Sequence, residues 1–214
     1  PDIYMEKIVI GKNLPNNLID LDYGVEKNIK LLAEAKNKKT SELTACVLNR
    51  PRHDSIIKSL KDLNVKIKFI TDGDVSGAIS VAYPDKEIDI YLGIGGAPEG
   101  VLAAAALKCL GCQMQARLHF SEKSEKVRAK KLGIKNLNKK YEIKDMIKGD
   151  VIFCATAVTD GDFLKGIKNH GDFYYSETLA LHNESKTNTI FKNQSKKWKF
   201  LRLVEKTGYI KNMI

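Results

Sequence analysis

No apolar run in the sequence approaches membrane length and no signal sequence opens it, so a membrane partner is not expected and the cytoplasm is the default. Internal repeats and low-complexity segments are absent. Aromatic residues make up only 7%, and a single one, Tyr141, stands among the lysines of 122–131 and 135–148. A stacking platform for nucleic acid needs aromatic residues interleaved throughout such runs, so the net charge of +10 reads as solvated helix faces. The same field favours phosphorylated small molecules. Four cysteines make no disulfide framework: Cys109-Leu-Gly-Cys112 is half a zinc site or redox pair without a second pair of ligands, while Cys46 and Cys154 lie in apolar runs and are expected in the core. Reduced, partly buried thiols are the expectation. His53, His119, His170 and His182 have no Gly-x-Ser-x-Gly companion, which leaves a nucleophile triad unsupported. An initiator Met is also lacking, and Met5–Ile10 reads as an element already under way, so the chain is expected to be cut from something longer.

What is present centres on Tyr91-Leu-Gly-Ile-Gly-Gly-Ala-Pro-Glu-Gly100. Residues 88–92 read as a strand, the glycines at 93, 95 and 96 as a turn with bare backbone and access to positive φ, and Pro98 as the first turn of a helix. The interior of that helix, 101–107, is apolar on nearly every side, so it is expected to be buried and to fix Glu99 rigidly as a metal ligand or an acid. Alternatively, Glu99 serves the helix macrodipole alone. The dinucleotide fingerprint fails, because Pro98 stands where its third glycine belongs.

Earlier in the chain, strands are expected at 6–10, 43–48 and about 65–69, with helices at about 24–36, from Ile56 to Leu63, and at 75–82. Arg50-Pro51-Arg52 closes one strand, and two guanidinium groups there suit bidentate phosphate binding; the alternative is surface ion pairs, with His53 or Asp54 capping the next helix. Asp72-Gly73-Asp74 closes another strand; here the alternative is an Asp74 cap with Asp72 in a turn. Calcium is excluded because the twelfth position of such a loop is Tyr83. Three strand ends linked by helices give an α/β sheet discharging at one edge, where open sheets bind ligands. Further on, strands are expected at 114–120, 151–155, 176–181, 187–192 and 198–204, and helices at 121–131 and 141–148. A substrate-binding βαβ core at about 40–120 and a mixed remainder at about 121–214 follow.

Pro1–Lys7, Arg50-Pro-Arg-His-Asp54, Asp72-Gly-Asp74 and Gly93-Ile-Gly-Gly-Ala-Pro-Glu-Gly-Val-Leu-Ala-Ala-Ala-Ala106 resemble the class II fructose-1,6-bisphosphatases of bacteria across essentially the whole chain. The resemblance implies a layered αβαβα sugar-phosphatase fold of the inositol-monophosphatase type. It also implies gluconeogenic hydrolysis of the 1-phosphate of fructose 1,6-bisphosphate with Mn²⁺ or Mg²⁺, and a homo-oligomer, dimer or tetramer. Glu99 matches the metal ligand, Arg50, Pro51 and Arg52 the phosphate-holding segment, and Asp72, Gly73, Asp74, Gly96 and Tyr4 the other substrate contacts. Arg50 stands where some relatives have Lys. The family's remaining metal-binding acids precede the tyrosine matching Tyr4, so this polypeptide alone is expected to be inactive. The alternatives are a non-catalytic phosphosugar-binding or regulatory module, and a phosphatase that also accepts sedoheptulose 1,7-bisphosphate.

Overall fold

The structure, a computed structural model, describes residues 3–197. It divides into two compact units, one ending at Val151 and one beginning at Ile152.

The first unit is a six-stranded mixed sheet with helices. Strand β1 (Tyr4–Ile10) leads through α1 (Gly24–Ala35) to β2 (Thr44–Leu48), α2 (Asp54–Asp62), β3 (Lys66–Ile70), α3 (Asp74–Ile79), β4 (Ile90–Gly96), α4 (Ala97–Leu110) and β5 (Gln113–His119). α5 (Lys123–Lys131), β6 (Lys140–Glu142) and α6 (Ile143–Met146) complete it. The spatial order is β3-β2-β4-β1-β5-β6. β2 runs parallel to β3 and β4, while β1 is antiparallel to both β4 and β5. The C-terminal ends of β2, β3, β4 and β5 and the N-terminal end of β1 therefore lie along one edge.

Burial drives this arrangement. Ile29, Leu32 and Ala33 from α1 and Leu60 from α2 meet Ile8, Ile10, Ala45, Val47 and Ile90 of the sheet in one apolar cluster. Spacing of three and four residues puts each helix's apolar side chains on one face, and that face is the one the sheet covers. At the opposite end of the sheet, Asp89 accepts from the Thr44 N–H (2.8 Å) and pairs with Lys36 and Lys38, tying the starts of β2 and β4 together. Burial raises the Asp89 pKa, but hydrogen bonds from Lys36, Thr44 and Lys38 outweigh it and hold the carboxyl below its usual range.

Several elements differ from the sequence expectation. β4 does not stop at Leu92; it continues through Gly93, Gly95 and Gly96, each paired with β1. None of these glycines has positive φ, so the expected glycine turn is a strand. α4 is not covered all round, since Val101 and Leu102 are 40% and 53% exposed while Gly100, Ala103, Ala104, Ala106 and Leu107 are buried. The helix expected at 75–82 is α3 followed by a 3-10 turn at Ser80–Ala82, and the segment 141–148 splits into β6 and α6.

The second unit is a small antiparallel sheet of β7 (Ile152–Thr156), β8 (Lys168–His170), β9 (Phe173–His182) and β10 (Asn188–Lys196), with β9 paired to all three others. β8 had no expectation in the sequence. β7 is not a buried strand: only Phe153 is covered, and Ile152 and Cys154 are exposed. Cys154 is thus not a core residue, whereas Cys46 is. The expected strand at 198–204 lies outside the described residues. Cys109 and Cys112 form no disulfide, and burial pushes the Cys112 thiol up to about 11, far from a reactive thiolate.

Candidate functional site

Three parallel strands deliver their C-terminal loops to one edge, and β1 arrives there in the opposite sense. After β2, Arg50 is extended and Pro51 starts a 3-10 turn that carries Arg52 outward and His53 inward. The Arg52 Nε donates to the Ile94 carbonyl at 2.8 Å, and its guanidinium lies 4.9 Å from the centre of the Tyr4 ring. Arg52 is exposed, and its two terminal amino groups have no hydrogen-bond partner among the described residues. That leaves a planar fork anchored at one nitrogen and open at the others, the geometry that phosphate recognition uses.

His53 caps nothing. It is fully buried, its Nδ1–H donates to the Leu48 carbonyl at 2.7 Å, and its Nε2 accepts from the Ile94 N–H at 2.8 Å. Acceptance at Nε2 fixes the tautomer with the proton on Nδ1. The imidazole is a strut between β2 and β4, and through Ile94 it supports the carbonyl that holds Arg52. Burial pushes the His53 pKa below its ordinary value, with the Arg52 charge adding to the effect and the hydrogen bond to Leu48 opposing it. The folded imidazole is therefore neutral where the unfolded one begins to protonate, near pH 6.5. Its contribution to stability is complete above about pH 6.5 and falls as the pH drops from there toward the folded value. Thermal melts of the wild type are expected to lose midpoint temperature across that interval. A His53→Gln variant should be less stable throughout and lack that component of the slope; an unchanged slope would contradict the assignment.

After β3, Gly73 takes a left-handed conformation (φ 83°) and Asp74 opens α3. Asp72 is exposed and accepts from the Gly73 N–H at 2.8 Å. Asp74 does not cap its helix. Its Oδ1 accepts from the Tyr91 hydroxyl and its Oδ2 from the Lys7 ammonium. Its side chain is 12% exposed and that of Lys7 only 1%. Burial pulls the Lys7 pKa down, while Asp74 and, more weakly, Glu99 pull it up; the net direction is downward. Lys7 Nζ also lies 3.4 Å from the Gly96 carbonyl, at the threshold of α4.

Glu99 stands exposed in the first turn of α4. A Cβ on Gly96 would collide with its carboxylate, and a Cβ on Gly95 with the carboxylate of Asp74 and, at 3.1 Å, with Lys7 Nζ. Gly95 thus leaves room for a buried ion pair, whereas the exposed Glu99 side chain can swing away from a Cβ at position 96. Tyr4 pairs with Gly96 across β1 and β4 and with His119 across β1 and β5. Tyr4, Arg52, Asp74, Gly96 and Glu99 accordingly share one edge. Arg50 lies in the same turn, but among the described residues its side chain reaches only the Asn49 carbonyl, at 3.2 Å. Pro51 and Asp72 are exposed beside that group and add no side-chain bond to it.

The sequence expectations give Lys7 and Tyr91 no role at this edge, and give His53 only the alternative role of a helix cap. Lys7 left a signal: it shares the inward-facing register of β1 with Met5 and Val9, both buried, which is an unusual place for a lysine unless an acid meets it. Among the described residues no three His, Cys, Asp or Glu groups stand close enough to hold a metal ion. Glu99 offers one carboxylate and Asp74 is already taken by Lys7, so these residues do not by themselves fit a bound cation.

A mixed α/β fold whose strand ends gather guanidinium, carboxylate and close-packed glycine on one edge is consistent with a sugar-bisphosphatase-type phosphatase. The family model described as bacterial fructose-1,6-bisphosphatase, glpX-encoded, matches residues 1–195, and the chain belongs to that family. It is 41% identical to a class 2 fructose-1,6-bisphosphatase of Haemophilus influenzae, over 87% of this chain and 60% of that protein. It is 38% identical to the Escherichia coli fructose-1,6-bisphosphatase 1 class 2, over 87% of this chain and 59% of that protein. A Synechococcus protein named as a fructose 1,6-bisphosphatase class 2/sedoheptulose 1,7-bisphosphatase is 36% identical, over 87% of this chain and 57% of that protein. The chain thus spans about 60% of the length of the curated relatives it matches.

Proposed function

We propose that this chain is the phosphosugar-binding portion of a fructose-1,6-bisphosphatase that releases the 1-phosphate of fructose 1,6-bisphosphate. The observation that carries this is the grouping of Arg52, Asp74 and Glu99, from three separate strand ends, around Tyr4 and Gly96 at one sheet edge. Arg52, with Arg50 beside it across Pro51, holds a substrate phosphate; the Asp72-Gly73-Asp74 loop and Tyr4 contact the sugar and its phosphates. Glu99 is one oxygen ligand of Mn²⁺ or Mg²⁺, hard ions that suit carboxylate. When bound, such an ion supplies Lewis-acid and water-activating chemistry. The described residues provide one carboxylate for it, so the other ligands come from elsewhere, and the chain alone binds the bisphosphate without turning it over. We place the core of this function in the segment at about 40–120 together with Tyr4, and the protein in the cytoplasm as a dimer or tetramer without nucleic acid or membrane as partner. Among the described residues, no helix is long and apolar enough to cross a membrane.

A second substrate, sedoheptulose 1,7-bisphosphate, is favoured by one observation, the name of the Synechococcus relative. Calorimetric titration of the chain with each bisphosphate tests both. Arg52→Ala is expected to weaken binding about 10-fold to 100-fold, the range for losing charged hydrogen bonds to phosphate. Its unfolding midpoint should stay near that of the wild type, since the side chain is exposed. Wild-type affinity in Arg52→Ala would refute the phosphate role.

A further inference from the structure

We propose that Lys7 and Tyr91 are positioning residues that hold both oxygens of Asp74 from beneath, so that its outward lone pairs accept a sugar hydroxyl and leave phosphate to the arginines. This rests on the phosphosugar reading above and divides its labour. The three side chains come from three elements: Lys7 from β1, Tyr91 from β4 and Asp74 from α3. Lys7 and Tyr91 are buried almost completely, so neither presents a surface to a ligand, and all that reaches the site is what they do to Asp74.

An ionised carboxylate has about four acceptor positions. Here the Tyr91 hydroxyl occupies one on Oδ1 and the Lys7 ammonium one on Oδ2. The group is clamped at both ends against rotation. A carboxylate held that way accepts hydrogen bonds and donates none. A ligand hydroxyl satisfies it; a phosphate dianion, which brings only acceptors and like charge, does not. Arg52 has the opposite chemistry, with open donors and a positive charge. The Lys7 contact with the Gly96 carbonyl further ties the Asp74 loop to the start of α4, where Glu99 stands, fixing the spacing between the hydroxyl acceptor and its neighbours.

The test uses the whole chain with two probes, inorganic phosphate and fructose 6-phosphate, titrated while backbone amide NMR shifts are followed. The wild type is expected to bind both, the sugar phosphate more tightly. Tyr91→Phe removes one hydroxyl and keeps the ring in place. It should weaken fructose 6-phosphate about 5-fold to 10-fold, as for one lost hydrogen bond to a charged group, and leave phosphate within about twofold. Lys7→Met should act in the same direction and more strongly. In an Asp74→Asn background Tyr91→Phe should add less than about twofold, because the group it positions is already altered. Unchanged fructose 6-phosphate affinity in Tyr91→Phe, or equal losses for both probes, would overturn the proposal while leaving the phosphosugar reading intact. A wild-type chain that binds neither probe would remove the phosphosugar reading and this inference with it.

Discussion

Asp74→Ala is expected to lower the unfolding free energy by about 3–5 kcal/mol, measured as a shift in the urea midpoint at unchanged slope. The reason lies below the side chain. Lys7 is 1% exposed and would lose its ion-pair partner, retaining only the Gly96 carbonyl at 3.4 Å and the more distant pull of Glu99. Tyr91, fully buried, would lose the acceptor of its hydroxyl. An uncompensated buried ammonium costs far more than the pair itself contributes, because the pair's attraction is largely offset by desolvation. The control follows from the same asymmetry: adding Lys7→Met to Asp74→Ala should recover much of the loss, although a carboxylate and an ammonium are then both gone. If Asp74→Ala costs less than about 1 kcal/mol, Lys7 has found water or another acid, and the buried pair is not what joins α3 to the sheet.

The second large effect is Gly95→Ala, expected to cost about 3 kcal/mol although it adds a single methyl group. The added carbon would meet the Asp74 carboxylate and lie 3.1 Å from Lys7 Nζ. Backbone conformation does not enter, since Gly95 lies in a regular strand without positive φ. The penalty is thus the displacement of a buried ion pair. It should shrink to about 1 kcal/mol or less in the Asp74→Ala, Lys7→Met background, where the space is empty; a thermodynamic cycle of denaturation midpoints measures the difference. Equal penalties in both backgrounds would mean that the methyl group strains the β1–β4 pairing instead.

Both effects concern a relation that the sequence hides. The local pattern carried β2, α2 and β3 to within a residue or two, because Ile56, Ile57, Leu60 and Leu63 recur at helical spacing and Val65, Ile67 and Phe69 alternate. It also placed the arginine and aspartate loops at strand ends, and the parallel pairing of β2 with β3 and β4 brings those ends to a common edge. The glycines misled for a physical reason. Glycine punctuates chains when backbone conformation requires it, but in β4 the requirement comes from side chains that begin elsewhere, at Asp74 on α3 and Lys7 on β1. A local pattern contains no trace of such a neighbour. The same holds for His53, whose partners Leu48 and Ile94 are 5 and 41 residues away. On α4, unbroken apolar sequence suggests burial on all sides, yet only Gly100, Ala103, Ala104, Ala106 and Leu107 are buried and Val101 and Leu102 stand outward.

The place of β1 in the sheet bears on how the molecule is made. Tyr4–Ile10 lies between β4, which runs to Gly96, and β5, which runs to His119, both far downstream in the chain. As the polypeptide leaves the ribosome, the βαβ unit of β2 and β3 can assemble from short-range contacts while β1 still lacks both neighbours. Closing two long loops around it makes completion of the sheet a late and slow step of folding. Lys7 meets Asp74 only when β1 is in place, so the edge that carries Arg52, Asp74 and Glu99 is completed together with the sheet.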